Sequence, residues 1–396
     1  MKRWPTKLLH ELCEVRHGNT PSKAELRNWD GSFPWVSPKD MRAEIISDTQ
    51  DHLSPEVIAS NRAAIAKKNS LLVVVRSGIL AHTFPVAVVG RDVAFNQDLK
   101  ALRVVSSVTT PRYLFRFLQA SSRQILTHGT KRGATVHSLQ SGFLESLPVP
   151  MPPLAEQERI VNLLDEADEL RKLRTQADRR TADLIPALFH EMFGDPRGSS
   201  KGFRIEKLGT VTTFITSGSR GWARYYSERG ARFIRVQNLE SHHLSFVDVA
   251  HVNPPDTAET LRTRVQSNDL LLAITGNTIG LSALVPEDVG EAYVSQHVAI
   301  IRLSQLVVSS YIASFMALPA GGQYQIAQMQ YGHTKPGISL QQIRDMNILL
   351  PPLSLQKEFA AHVSDIRAMQ AEQATSRRCL DDLFHSMLHR AFRGEL

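Results

Sequence analysis

The chain has 396 residues, 42% hydrophobic and 21% charged, with a net charge of +7, which is too long for one ordinary domain and typical of a globular composition. No apolar run approaches the roughly 20 residues of a membrane helix. The start, Met1-Lys2-Arg3-Trp4-Pro5, breaks at proline instead of opening a secretory signal, so a cytoplasmic location is expected. Cys13 and Cys379 fit neither a disulfide framework nor a paired zinc spacing and are expected as free thiols.

In chain order, residues 1–153 form a first globular segment, where 20 Lys+Arg stand against 12 Asp+Glu. Apolar runs over 71–75 and 86–89 and a helical pattern over 113–120 predict an irregular α/β domain. Pro152-Pro153-Leu154-Ala155-Glu156-Gln157 then opens a glycine-free stretch, predicting a helix over 154–193 with Glu156 and Glu158 at its positive end. Pro186 predicts a local kink late in that helix. Residues 194–353 repeat the first segment after a loop over 196–202, and 354–396 repeat the helix.

The repeat period is about 199 residues. Val15-Arg16-His17-Gly18 is answered by Ile215-Thr216-Ser217-Gly218, and Lys68-Asn69-Ser70-Leu71-Leu72 by Ser267-Asn268-Asp269-Leu270-Leu271. Asn96-Gln97 is answered by Ser295-Gln296, and Trp35 through Met41 by Phe233 through Leu239. The opening Pro-Pro-Leu of the first helix recurs as Pro351-Pro352-Leu353-Ser354-Leu355-Gln356. The expected fold class is therefore α+β: two pseudo-repeated α/β domains separated by two long helices. Heptad spacing gives a seam of Ile160, Leu163, Leu170, Leu184 and Leu188 in the first helix, and of Phe359, Ile366, Met369, Leu380, Leu383 and Met387 in the second. Both seams are polar or small in the middle, so the helices are expected to pair antiparallel as a coiled coil.

No catalytic motif is expected of this chain. Asn253-Pro254-Pro255-Asp256 is similar to the Asn-Pro-Pro-aromatic motif of amino-methyltransferases but has an aspartate in place of the aromatic and no Gly-rich donor loop, so it reads as a turn. No phosphate-cradling loop and no metal cluster emerge, and Asp98-Leu99-Lys100 reads as a strand edge before it reads as a nuclease motif. What stands out is a set of loops in which basic, amide and aromatic groups are free of core duty, as DNA reading requires. In the first repeat these are Arg16 and His17, Lys39, Arg76 and Ser77, and Lys131 and Arg132; in the second, Arg220 and Trp222, Arg235 and Gln237, Thr275 and Asn277, and Tyr331, His333 and Lys335. A structural hydrogen bond is the expected role of Gln97 and Gln296.

The two Pro-Pro-Leu stretches, at this spacing in a duplicated chain that closes on Ala391-Phe392-Arg393-Gly394-Glu395-Leu396, resemble the specificity subunit of type I restriction-modification enzymes. The resemblance implies two target-recognition domains, each reading half of a split double-stranded DNA site, and helices that serve as spacer and as docking surface for two modification subunits and, where the host has one, a motor-nuclease subunit. It implies that S-adenosylmethionine, ATP and Mg are bound by those partners and that this chain holds no cofactor. A straight helix over 156–193 would be about 57 Å long at ~1.5 Å per residue, an upper bound on the half-site separation. The alternatives are a protein-binding adaptor, whose DNA binding would lack a steep salt dependence, and an enzyme with a divergent site at Asp98 or Asn253.

Overall fold

Two apolar runs are buried over their whole length, Leu71–Val74 and Leu270–Ala273, and each becomes an inner strand of a sheet. The computed structural model describes residues 4–131, 133, 135–198, 200–240, 243–330 and 337–396. It resolves into two compact units, residues 1–175 with 375–396, and residues 176–374.

In the first unit the larger sheet orders as Cys13–His17, Leu99–Val104, Leu71–Val74, Val86–Val89 and Ile45–Ile46. In the second it orders as Thr212–Ser217, Val298–Leu303, Leu270–Ala273 and Ser282–Leu284. Each unit adds a smaller sheet holding one parallel pair. Phe33–Val36 runs beside Val93–Phe95 in the first unit, and Ala231–Ile234 beside Ala292–Val294 in the second. The approach to the inner strand is matched as well: Asn69 and Asn268 both adopt φ of +67°, a left-handed turn that asparagine tolerates. That constraint accounts for the recurrence of Asn in Lys68-Asn69-Ser70 and Ser267-Asn268-Asp269.

Helix Pro111–Ala120 lies on the first unit's core and Ser309–Ala317 on the second's. Tyr113 and Tyr311 are fully buried there, and their hydroxyls donate to Pro150 O at 2.8 Å and Leu349 O at 2.9 Å. These carbonyls sit just ahead of the long helices, so each tyrosine ties a helix start to its domain.

The glutamine of the Pro-Pro-Leu stretch makes the same kind of tie. Gln157 is buried, donates Nε2 to Val108 O at 2.8 Å and Pro152 O at 2.9 Å, and accepts from Thr109 Oγ1 at 3.0 Å. Gln356, also buried, donates to Pro351 O at 2.8 Å and accepts the Val308 amide at 2.9 Å. A buried amide must satisfy both ends, and here it does so by clamping the helix's first turn to the loop before Pro111 or Ser309.

The first long helix runs over Leu154–Ala182 and resumes over Leu184–Phe193, whereas the second runs unbroken over Leu353–Ala391. The break lies three residues before the expected kink at Pro186. The proline ring excludes the carbonyl four residues earlier, that of Ala182, and has no N–H to offer it, so the first segment ends there. Within the first unit the helices run antiparallel: Arg159 Nη2 reaches Leu396 O at 3.0 Å and Arg171 Nε reaches Asp381 Oδ1 at 2.7 Å. Within the second, Thr181 Oγ1 donates to Gln373 Oε1 at 2.8 Å and Gln370 Nε2 donates to Thr181 O at 2.9 Å. Polar residues meet polar residues at mid-helix.

The buried stripe departs from the heptad reading. Ile160 and Phe359 are fully buried, and Leu163, Leu188, Ile366, Met369, Leu380 and Met387 are half-buried. Leu170, Leu184 and Leu383 are exposed, while Leu164, Asp168, Phe189, Phe384 and Leu388, outside the heptad positions, face inward. A helix of 3.6 residues per turn drifts about 20° per heptad against a strict seven-residue repeat, which over several heptads carries the stripe one position onward at Phe384 and Leu388, while Leu164 and Asp168 turn inward near the helix start against the first unit's domain.

Both cysteines are free, Cys13 buried and Cys379 exposed. Burial pushes the Cys13 thiol up to about 12, which leaves it an inert core residue.

Candidate nucleic-acid interface

In each unit the described residues singled out in the sequence gather around one crossover turn; Arg16–His17, Arg76–Ser77 and Lys131, expected in loops, lie on strands, whereas those of the second unit lie in segments that follow strands. The parallel pair of the small sheet sets this up. In the first unit the chain leaves Phe33–Val36 into Ser37–Asp40 and leaves Val93–Phe95 into Asn96-Gln97-Asp98, the crossover to the large sheet. The Asn96 amide donates to Val36 O at 3.0 Å, placing the two exits side by side. In the second unit Ser295 N donates to Ile234 O at 2.9 Å and sets Arg235–Asn238 beside Ser295-Gln296-His297.

A third exit packs directly on this crossover. A Cβ at Gly18 would stand 1.9 Å from Asn96 O, and one at Gly218 would stand 2.1 Å from Val294 O, so the repeated glycine is required by the closeness of the two backbones. Arg16 and His17 precede Gly18, while Ser219 and Arg220 follow Gly218.

The fourth exit follows the buried inner strand and bonds to the crossover's third residue in both units. Arg76 Nε donates to Asp98 Oδ1 at 2.6 Å, and Thr275 Oγ1 pairs with His297 Nδ1 at 2.5 Å. Arg76–Ser77 also pairs with His137–Ser138, which pairs in turn with Thr130–Lys131, so Lys131 joins the same group. Thr275 bridges to Gly337 in the corresponding way.

Arg16, His17, Lys39, Arg76, Lys131, Arg220, Gln237 and Asn277 are exposed, with Ser77, Arg235 and Thr275 half-buried. Arg132, Tyr331, His333 and Lys335 lie outside the described residues. Arg16 is paired with Glu14 at 2.8 Å and Lys39 with Asp51 at 2.8 Å, which moderates their pull on an anion. In the second unit Arg220, Trp222, Arg235 and Gln237 line one cavity of about 360 Å³ together with Gln296 and His297. Trp222 is a correction to the sequence reading: it is 6% exposed, stacks on Phe233 at 5.0 Å and belongs to the floor of the small sheet. Its indole is too apolar to leave in water when a neighbouring aromatic can cover it.

Gln97 accepts a hydrogen bond from Thr20 at 2.5 Å, and Gln296 Nε2 lies 3.0 Å from His297 Nε2. Lys100, read with Asp98 as a strand edge, pairs with Glu145 at 2.5 Å, and Asn253 donates to Arg229 O at 3.2 Å in a turn. Sequence reading gave no role to Lys23, whose ammonium stands 5.9 and 5.8 Å from the ring centroids of Trp29 and Trp35. Among the described residues no group of three or more His, Cys, Asp or Glu can hold a metal ion, and no helix is long and apolar enough to cross a membrane.

Residues 1–178 match the family model described as the type I restriction modification DNA specificity domain. The chain is 33% identical over 179 residues to the type I restriction enzyme EcoR124I/EcoR124II specificity subunit of Escherichia coli, over 45% of this chain and 44% of that one. It is 23% identical over 258 residues to the MjaIX specificity subunit of Methanocaldococcus jannaschii, over 60% and 58%. The chain thus spans about half the length of these relatives. Its fold is that of a solved chain from a study of complex assembly and conformational transition in the type I R-M system, with a TM-score of 0.64 at 17% identity over 100% of this chain and 99% of that one. The type I restriction-modification S subunit of M. genitalium gives 0.56 at 12% identity over 98% and 96%. The α+β fold with two pseudo-repeated units and long helices agrees with these neighbours, and in sequence the chain is similar to the specificity subunits of type I restriction-modification systems.

Proposed function

We propose that this chain is the non-catalytic DNA-reading subunit of a type I complex and that each unit reads one half of a split duplex site with the loop side described above. The reading is carried by one observation: two units of different surface sequence keep the same three loop exits around the same crossover turn, Asn96–Asp98 in one and Ser295–His297 in the other. A conserved scaffold beneath divergent exposed side chains suits a module that varies the bases it reads without changing how it docks. Affinity then comes from phosphates neutralised by exposed Lys and Arg, and selectivity from groove contacts of Arg, Gln, Asn and Thr side chains.

Two modification subunits dock on the long helices, and a motor-nuclease subunit joins where the host encodes one. S-adenosylmethionine, ATP and Mg act on those partners, which carry out the adenine methylation and the cleavage. The complex works in the cytoplasm.

The test is to co-express the chain with a modification subunit encoded beside it and map modified adenines across the host genome. Methylation should fall on one split motif. Exchanging exposed loop residues of the first unit, such as Lys131, should alter one half of that motif, and exchanging Gln237 or Asn277 should alter the other. Methylation without sequence confinement, or variants that change both halves together, would sink the proposal.

A further inference from the structure

We infer that the first unit reads a guanine with Arg76 and that Asp98 is the positioning residue that aims it; the inference rests on the DNA-reading role proposed above. Arg76 leaves the end of the buried strand Leu71–Val74, and its side chain is 55% exposed against 22% for Asp98. Its Nε donates to Asp98 Oδ1 at 2.6 Å. The other carboxylate oxygen accepts from Asn96 Nδ2 at 3.1 Å, and Asn96, buried, takes the Asp98 amide on its own oxygen at 3.1 Å. Backbone bonds close the unit, with Val75 N and Arg76 N both donating to Asp98 O at 2.8 and 3.2 Å. One edge of the guanidinium is therefore fixed from inside the protein.

What this leaves exposed decides the ligand. With Nε occupied, the remaining donors are the two Nη groups, which take no protein partner among the described residues. An end-on fork of two parallel N–H donors matches O6 and N7 of guanine in the major groove. A phosphate accepts the same fork, but it is drawn mainly by net charge, and the carboxylate 2.6 Å away cancels most of that charge. Directional donors survive while the monopole does not, which favours a base edge over the backbone.

The second unit supplies an internal contrast. At the same exit Thr275 faces His297 in a hydroxyl–imidazole pair, with no guanidinium at either position. The two half-sites should therefore differ in this contact, guanine being demanded only in the half read by the first unit.

The test uses the complex with its modification subunit and duplexes carrying the methylated motif. Single base-pair substitutions are scanned through each half-site by competition binding at several salt concentrations. Replacing one guanine in the first unit's half should weaken binding by about 5- to 150-fold. Arg76→Gln should become indifferent at that position alone, with the salt slope unchanged. Arg76→Lys should behave likewise, because it keeps the charge and loses the fork. Asp98→Asn should reduce discrimination at the same guanine and steepen the salt slope by up to about 0.9, the weight of one added phosphate contact. Arg76 is exposed, so its variants should keep the parent's melting temperature and decide the matter even if Asp98→Asn does not fold. A uniform loss of affinity in Arg76→Gln with a flatter salt slope would make Arg76 a phosphate contact and overturn the inference, as would a half-site in which no guanine responds. Wild-type complex that binds all duplexes alike would instead fail the DNA-reading role itself, and the guanine contact with it.

Discussion

Both units pack rings where the domain helix meets a long helix, but among the described residues only the first adds a buried ionic cluster there. The first unit buries Arg116, 4% exposed, among Asp165 at 2.7 Å, Asp168 at 3.2 Å and Glu44 at 3.3 Å. The second has Ser314 at the repeat-equivalent position and fills the junction with rings: Phe189 lies parallel to Tyr311 at 5.7 Å, and Phe359 stands edge-on to Phe189 and Phe193 at 5.7 and 5.3 Å. An ionic junction dictates orientation through directional bonds and is costly when one partner is lost; an aromatic junction is held by area and tolerates small shifts. The same backbone scaffold therefore accepts the rings with or without the ionic cluster, provided every buried charge is paired.

The largest expected effects break each junction in turn. Arg116→Ala leaves Asp168 buried without one of its cationic partners and should destabilise the first unit by about 3–5 kcal/mol, read as a urea midpoint lowered for that unit alone. Phe359→Ala removes the centre of the ring cluster and should cost the second unit a similar 3–5 kcal/mol or so by cavity formation. If either variant shifted both units equally, the comparison would lose its basis.

Acid separates the two chemistries. Burial by itself raises the Asp168 pKa, but hydrogen bonds from Lys172 and Arg116 outweigh it and hold the carboxyl below its ordinary value. A carboxylate with a depressed folded pKa contributes stability that is present above its unfolded pKa of about 3.9 and is lost as pH falls through the folded value. The Arg116 junction should therefore weaken in the acid range below about pH 4, and Arg116→Ala should flatten the pH dependence of the first unit in that range. A pH profile unchanged by the substitution would place the linkage elsewhere.

A smaller effect sharpens the likeness between units. Gln157 makes three hydrogen bonds where Gln356 makes two, so Gln157→Leu should cost about 1–3 kcal/mol and somewhat more than Gln356→Leu in the same urea measurement. The smallest effect tests the drift of the helix stripe: Leu383→Gln, at an exposed position, should change stability by no more than about 0.5 kcal/mol, while its buried neighbour Phe384 should not tolerate alanine.

The sequence made the duplication legible because its signals are local. Asn before the inner strand, Gly after the first, and Pro-Pro-Leu before each helix are backbone requirements that must recur wherever the backbone recurs. The break near Pro186 was legible for the same reason, although the residue whose carbonyl is displaced lies four positions earlier. What stayed hidden depends on partners distant in the chain. Arg116 meets Asp168 across 52 positions and Arg76 meets Asp98 across 22, and no periodicity connects them. Trp222 read as a free aromatic because its cover, Phe233, comes from another strand. The loop side as a whole was named residue by residue, but its convergence on one crossover turn needed the parallel strand pair, which no local pattern announces.

Each unit's core contains the end of a long helix that begins in the other repeat. Phe189 and Phe193 pack with Tyr311 in the second unit, and Phe392 packs with Tyr113 and Phe117 in the first. Completion of the fold therefore runs against the order of synthesis. The second unit has all of its residues once position 374 has left the ribosome, but the first, although made earlier, must wait for positions 375–396 before its core can close. Until then its nascent domain exposes the apolar seat of Phe384, Leu388 and Phe392 to the translating cell, and the half of the protein that emerges first is the last to be finished.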